Sequence, residues 1–242
     1  MPEVAGRCDA RRPRWNEPAK EPTVKITRYG HATLLVEQDD TRILIDPGSF
    51  TRPEAFELTG LAAVFTTHEH PDHFQPERLS GVVEANPEAL LYGAPSVVPA
   101  AADAGLEIAE LREGAPVTIG PFGVEPVGTL HQLVHPRMPR IENVGLVISA
   151  GGGPRLFHPG DSYESVPADI DILAVPLSSP WGRLGETVDF VTAVAPSTIF
   201  PIHDALLSPA GRGLFWSWVP LLVGDHVTAI DPEPLESFEF SG

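Results

Sequence analysis

Four residues within six positions, His68-x-His70-x-Asp72-His73, carry the most specific chemical signal in the chain. With nine histidines in 242 residues, chance would set this pattern in roughly 7 of 10,000 such chains. Solvated loop histidines are the bland alternative, but the spacing suits cation binding better. In a loop leaving a strand, alternate residues project to one side, so His68 and His70 can share one divalent ion while Asp72 and His73 hold a second. Two histidines alone leave a zinc ion short of the three protein ligands usual at a catalytic site. The missing ligand types stand at the ends of apolar runs: His131 after Val124 to Leu130, Asp161 after Arg155-Leu-Phe-His-Pro-Gly, and His203 after Thr198-Ile-Phe-Pro-Ile. One such histidine would ordinarily be a hydrogen-bonded core residue; it is the repetition that points to ligands. His135, in His-Gln-Leu-Val-His-Pro, competes with His131 for the same place. His131 is preferred because it directly ends its strand, which leaves His135 as a pocket wall or ligand-supporting group.

Other polar residues fall near the same strand ends. Asp46, in Ile-Asp-Pro-Gly, is placed to fix a loop beneath the ions by accepting from a histidine ring or backbone N–H. His31, just before a strand, could meet substrate or hold its own turn, and His158 on the approach to Asp161 suits a buried supporting role. Tyr163 could donate to a developing oxyanion or leaving group, while Trp181 and Arg183 could wall a pocket, Arg183 meeting an anionic substrate group. Packing serves equally well for Tyr163 and Trp181.

The elements that must position these groups are short. Val24 to Arg28, Ala32 to Glu37 and Thr41 to Ile45 read as an antiparallel meander, and Leu61 to Thr66 as a buried strand ending in the histidine loop. Further strands are expected at Leu90 to Tyr92, Val117 to Ile119, Val124 to Val127, Val144 to Ser149, Arg155 to Phe157, Ile172 to Val175 and Thr198 to Phe200. Helical patterns cover Gln75 to Val83, Ser96 to Ala104 and Glu186 to Val194. Trp216-Ser-Trp218, with Leu214, Phe215 and Leu221, reads as a C-terminal helix packed on the core or in a subunit contact, so a homo-oligomer is compatible. Meanders followed by strand–helix alternation indicate an α+β chain of mixed layers rather than a doubly wound parallel sheet.

Taken together, the motif, His131, Asp161 in Gly-Asp-Ser, and His203 in Pro-Ile-His resemble the metallo-β-lactamase superfamily of metal-dependent hydrolases. Arg28-Tyr-Gly-His-Ala-Thr-Leu-Leu-Val-Glu and Ile43-Leu-Ile-Asp-Pro-Gly are similar to the branch containing ascorbate-6-phosphate lactonase and N-acylphosphatidylethanolamine phospholipase D, over Thr23 to Asp204. The resemblance implies a four-layer αβ/βα sandwich of two mixed sheets with a dinuclear site on one edge. It further implies that His68, His70 and His131 bind the first ion, Asp72, His73 and His203 the second, and Asp161 bridges them. A hydroxide shared by two such ions is then the expected nucleophile, with Asp72 both a ligand and the carboxylate that orients it or takes its proton. Zinc suits this His-rich, cysteine-free set; manganese or iron is also accommodated.

Charge narrows the substrate. The chain has 16 Lys+Arg against 33 Asp+Glu, a formal charge of −17, which opposes phosphate backbones and anionic membranes. No apolar run approaches the ~20 residues of a membrane helix, and one cysteine, Cys8, excludes an intramolecular disulfide. A cytoplasmic protein is the default, without nucleic-acid partners or membrane insertion. Residues 1–22, rich in Arg and Pro, read as a flexible leader or a basic tail touching the acidic body, and 23–242 as the hydrolase domain. The favoured substrate is a small lactone, ester or amide. A small cyclic or phospholipid-like phosphodiester is the second reading, and a metal-bound binding or regulatory module the third.

Overall fold

The computed structural model describes residues 23–241; the leader expected over 1–22 lies outside them. In chain order the elements are β1 (Thr23–Arg28), β2 (Leu34–Gln38), β3 (Thr41–Ile45), β4 (Ala63–Thr66), α1 (Pro76–Ala85), β5 (Leu90–Gly93), α2 (Val97–Asp103), β6 (Ala109–Glu110), β7 (Val117–Ile119), β8 (Phe122–Val127), β9 (Gly145–Ala150), β10 (Leu156–His158), β11 (Ile172–Pro176), α3 (Leu184–Val194), β12 (Thr198–Ile202), α4 (Pro209–Val223), β13 (Thr228–Ala229) and β14 (Ser237–Ser241). They form two seven-stranded sheets, ordered β14-β1-β2-β3-β4-β5-β6 and β13-β12-β11-β10-β9-β8-β7. Both are mixed. In the first, β14 to β3 run antiparallel and β3 to β6 parallel; in the second, β10 to β13 run parallel and β7 to β10 antiparallel.

The layering follows from strand periodicity. Successive side chains of a strand point to opposite faces, and along β11 Ile172 and Ala174 join the core shared with the first sheet while Leu173 and Val175 join a second core under α3 and α4. The helices answer with their own period: Thr187, Phe190, Val191 and Val194 of α3, and Trp216, Val219 and Val223 of α4, form buried stripes spaced three and four apart. Ser208 opens α4 by accepting from Gly211 N at 3.1 Å, with Pro209 at the first helical position. No helix among the described residues is long and apolar enough to cross a membrane.

Differences from the sequence expectations have local causes. β2 starts at Leu34 instead of Ala32 because Gly30 and His31 both take positive φ, turning the chain so that Thr33 N bonds back to Gly30 O. β8 stops at Val127, before Gly128 at φ 77°, so His131 does not end a strand but lies four residues into the following loop. β12 continues through Pro201; its neighbour β13 reaches only to Ile199, so the missing N–H lies where one side of the strand has no partner.

Candidate metal centre

One edge of the sandwich gathers the loops that follow β3, β4, β8, β10, β11 and β12, together with the turn entering β2. Into it project His68, His70, Asp72 and His73 from the β4 loop, His131 from the β8 loop, Asp161 after β10, His203 after β12, Asp46 after β3, and His31. Two groups of four ligand-type residues form, His68, His70, His131 and Asp161, and His31, Asp72, His73 and His203; within each, one donor atom per residue lies within 4.8 Å of the others. Asp161 stands between the groups. Its Oδ1 is 3.1 Å from His73 Nε2, and its Oδ2 is 3.1 Å from His203 Nε2, 3.4 Å from His131 Nε2 and 3.8 Å from His68 Nε2.

Hydrogen bonds at the far side of each ring decide which nitrogen faces the centre. His73 Nδ1 donates to Asp46 Oδ2 at 2.7 Å, His131 Nδ1 to Gln132 O at 2.7 Å, and His203 Nδ1 to Ser178 O at 2.7 Å. Thr67 Oγ1 gives its proton to Asp46 Oδ2 and so accepts from His68 Nδ1. All four rings therefore turn Nε2 toward the centre, the nitrogen a cation would take once it is proton-free. The Nε2 atoms of His73, His131 and His203 and Oδ1 of Asp161 are buried without a hydrogen-bond partner. Orphaned buried polar atoms cost roughly 1–3 kcal/mol each, and divalent ions among them would satisfy all four. The residues present thus fit the expected metal centre.

His31 has the opposite polarity. Its Nδ1 accepts from Ala205 N at 3.4 Å, so Nε2 carries the proton and donates to Asp72 Oδ2 at 3.1 Å. Burial, only partly offset by that bond, lowers its pKa to about 4, keeping it neutral. That polarity suits His31 to orienting Asp72 better than to ligating. His158 is likewise structural, donating from Nε2 to Ala32 O at 2.8 Å and accepting from Gly160 N. His31, Asp46 and His203 take left-handed φ values of 49°, 50° and 55°, a conformation that costs free energy and concentrates at functional sites.

The electrostatics are those of opposed charges under burial. Burial alone would lower His203, but Asp161 beside it and the Asp72 carboxylate raise it to about 9; His73 is raised in the same way by Asp161 and Asp46. Burial would raise Asp161, yet His73 and His203 hold it well below the usual carboxylate range, and His203 and His31 hold Asp72 there too. His68 and His70 are lowered by burial, reinforced by neighbouring imidazoles. Each inward Nε2 must be proton-free to ligate, so an ion displaces the protons held by His203 and His73. Apparent affinity is expected to rise roughly tenfold per pH unit for the His203 proton, up to about pH 9, and more steeply where the His73 proton is displaced as well. Calorimetric titration at pH 6.5, 7.5 and 8.5 reads this directly, and a flat affinity would contradict it.

Three expectations change. Tyr163 is not brought to the centre: its hydroxyl donates to Pro176 O and pairs with Thr187 Oγ1, each at 2.8 Å, which leaves no phenolic proton for an oxyanion. Its ring backs Trp181 edge-on at 5.0 Å. Arg183 is exposed at the start of α3, where its backbone N donates to Glu186 Oε2, and among the described residues no hydrogen bond or ion pair joins its guanidinium to the centre. His135 is exposed and accepts from Arg137 N, so His131 alone of the two joins the centre.

Several contributors take roles that sequence reading did not give them. Trp181 Nε1 donates to Asp161 Oδ2 at 2.9 Å, a charge-assisted bond from a residue expected only as a wall. Trp181→Phe keeps the ring but drops this bond, and metal affinity is expected to fall about 10- to 100-fold in competition with a chromogenic chelator; unchanged affinity would remove Trp181 from the centre. Asn143 bonds Pro159 O and accepts from Asp161 N, fixing the Pro-Gly-Asp turn. Gly160, at φ 59°, lies so near Asn143 and Thr67 that a Cβ would overlap both. Arg28, 1% exposed, pairs with Asp204 at 2.8 Å and donates to Pro232 O, anchoring the loop after His203.

Comparison with known proteins gives the family and the fold. Residues 25–203 match the family model described as the beta-lactamase superfamily domain. The chain is 39% identical over 195 residues to Protein Rv0786c of Mycobacterium tuberculosis, covering 80% of this chain and 90% of that protein. It is 27% identical to a UPF0173 metal-dependent hydrolase of Azorhizobium caulinodans, over 89% of this chain and 100% of the other. The metallo-beta-lactamase fold protein YhfI of Bacillus subtilis superposes with a TM-score of 0.71 at 16% identity, over 91% of this chain and 100% of that one.

Proposed function

Because the chain belongs to the beta-lactamase superfamily of metal-dependent hydrolases, we propose that it hydrolyses a small lactone, ester or amide at a centre of two divalent ions. The observation that carries this reading is the convergence of unpartnered Nε2 atoms on Asp161. His68, His70 and His131 would hold one ion and Asp72, His73 and His203 the other, with Asp161 shared. Zinc is the proposed occupant, since imidazole and carboxylate without thiolate suit it. Such ions, when bound, supply Lewis-acid polarisation of the carbonyl and a water acidic enough to attack near neutral pH.

The chain's own groups do the rest. Asp72 is the most exposed carboxylate of the centre, its side chain 22% accessible. Its Oδ2 faces His31 and the two imidazoles His73 and His203, while its Oδ1 makes no hydrogen bond or ion pair among the described residues. That oxygen is the acceptor that orients the attacking water and receives its proton for delivery to the leaving group. Asp161 is too enclosed for this role, its Oδ2 already committed to Trp181, and Asp46 is saturated by Thr67 and His73.

The test is turnover of a chromogenic lactone against bis-(p-nitrophenyl) phosphate by zinc-loaded protein. Lactone hydrolysis that is lost with chelator and restored by metal supports the reading. Diester turnover alone would move the reaction to phosphoryl chemistry, and neither activity in a protein with both sites filled would make the centre a binding module.

A further inference from the structure

The loop 128–143 brings His131 to the centre and also carries an unusual share of apolar surface. Leu133, Val134, Met138 and Ile141 wall a small cavity completed by His70 and His131, two ligands of the same proposed ion. Leu133 is 43% and Met138 54% exposed, although loops ordinarily turn polar side chains outward. The loop is not loose. His131 N bonds Ile141 O at 3.0 Å, Met138 N bonds His135 O at 2.8 Å, and Gln132 N bonds Asp161 O at 2.7 Å.

The one charged side chain lining the cavity is already committed. Arg140 donates from Nε and Nη2 to His131 O and pairs with Glu164 at 2.7 Å. A carboxylate or phosphate group placed there would lose its hydration against Leu133 and Met138, with the Arg140 guanidinium already shared between His131 O and Glu164. An uncharged apolar group would instead cover Leu133 and Met138, displacing water held against them. Adjacency to His70 and His131 fixes where such a group must be attached: beside the atom that the first ion would polarise.

We propose that this cavity receives a short apolar alkyl chain borne on the scissile carbonyl, so that the substrate is a neutral acyl compound. This deepens the hydrolase reading above and rests on it. At ≈ 60 Å³ the cavity is shallow, which limits the group to a few carbons before further methylenes project into solvent.

A chain-length series of p-nitrophenyl esters, acetate to decanoate, tests it on zinc-loaded wild type and on the Leu133→Ser/Met138→Ser double variant, with ion content measured for each. In wild type, kcat/KM is expected to climb about fourfold per methylene over the first few carbons and then level. In the double variant, still holding two ions, that climb flattens. Leu214→Ser, on the outer face of α4, keeps it. A flat series in wild type, or a climb that survives the double substitution, would overturn the cavity assignment while leaving the hydrolase reading intact. Absence of all ester and lactone turnover from protein with two ions would overturn both.

Discussion

Asp161→Asn protein is expected to fold, to retain fewer than one ion per chain after dialysis, and to lose at least about 10³-fold of its hydrolytic turnover. Folding should survive because the turn is held through main chain: Asp161 N donates to Asn143 and Asp161 O accepts from Gln132. The centre should not. Asp161 is the one carboxylate within 4 Å of His68, His73, His131 and His203 alike, and the amide replaces a shared anion with a neutral group whose N–H meets either Trp181 N–H or an imidazole. The substitution also removes the charge that raises His203, so the His203 resonance should titrate well below about 9 in the metal-free variant. Elemental analysis and steady-state rates decide the first claim; two retained ions with wild-type turnover would refute it.

Gly48→Ala is expected to cost stability and the second ion together. A Cβ at Gly48 would overlap the backbone C and O of Asp72 and the N of His73, and backbone cannot step aside as a flexible side chain does. Ser49 N bonds Pro71 O at 2.8 Å, so the Asp46-Pro-Gly turn is seated directly on the histidine loop. Overpacking of this kind costs about 1–3 kcal/mol or more, which is a fall of roughly 2–12 °C in Tm for a chain of this size. The strain would displace Asp72 and His73, so titration should show one tight ion and one weakened. A wild-type melt with two tight ions would show that the turn tolerates the methyl.

Why some of this was legible in the sequence and some not comes down to range. Turn chemistry and β-branched runs are local, so β3 at Thr41–Ile45 and β7 at Val117–Ile119 agree residue for residue with the reading of sequence. The motif His68 to His73 is legible for the same reason: its spacing is contained in one loop. His131 joins the centre although its strand ends at Val127, because what brings it in is a loop folded back by His131 N to Ile141 O. β6 and β13 are two-residue edges with too little pattern to read. β14 pairs with β1 across more than two hundred residues, a match no local window contains.

The site shows the same division. Ligand types announce themselves, whereas hydrogen-bond polarity does not. Whether a histidine is ligand or donor depends on what its other nitrogen touches, and those partners, Ser178 O for His203 and Ala205 N for His31, are set by tertiary packing. Tyr163 follows Asp161 closely enough to suggest chemistry, yet Thr187 of α3 and Pro176 O of β11 claim its hydroxyl. Trp181 passes for a wall until its indole is found on Asp161.

The central claim is a pair of ions sharing Asp161, with His31 a donor to Asp72 and not a ligand. Anomalous diffraction from crystals of the zinc-loaded protein tests it most directly. Two peaks about 3.5–4 Å apart are expected, one bounded by His68, His70 and His131, the other by Asp72, His73 and His203, with Asp161 between them. A single peak, or a second peak ligated by His31 Nε2, would contradict the account.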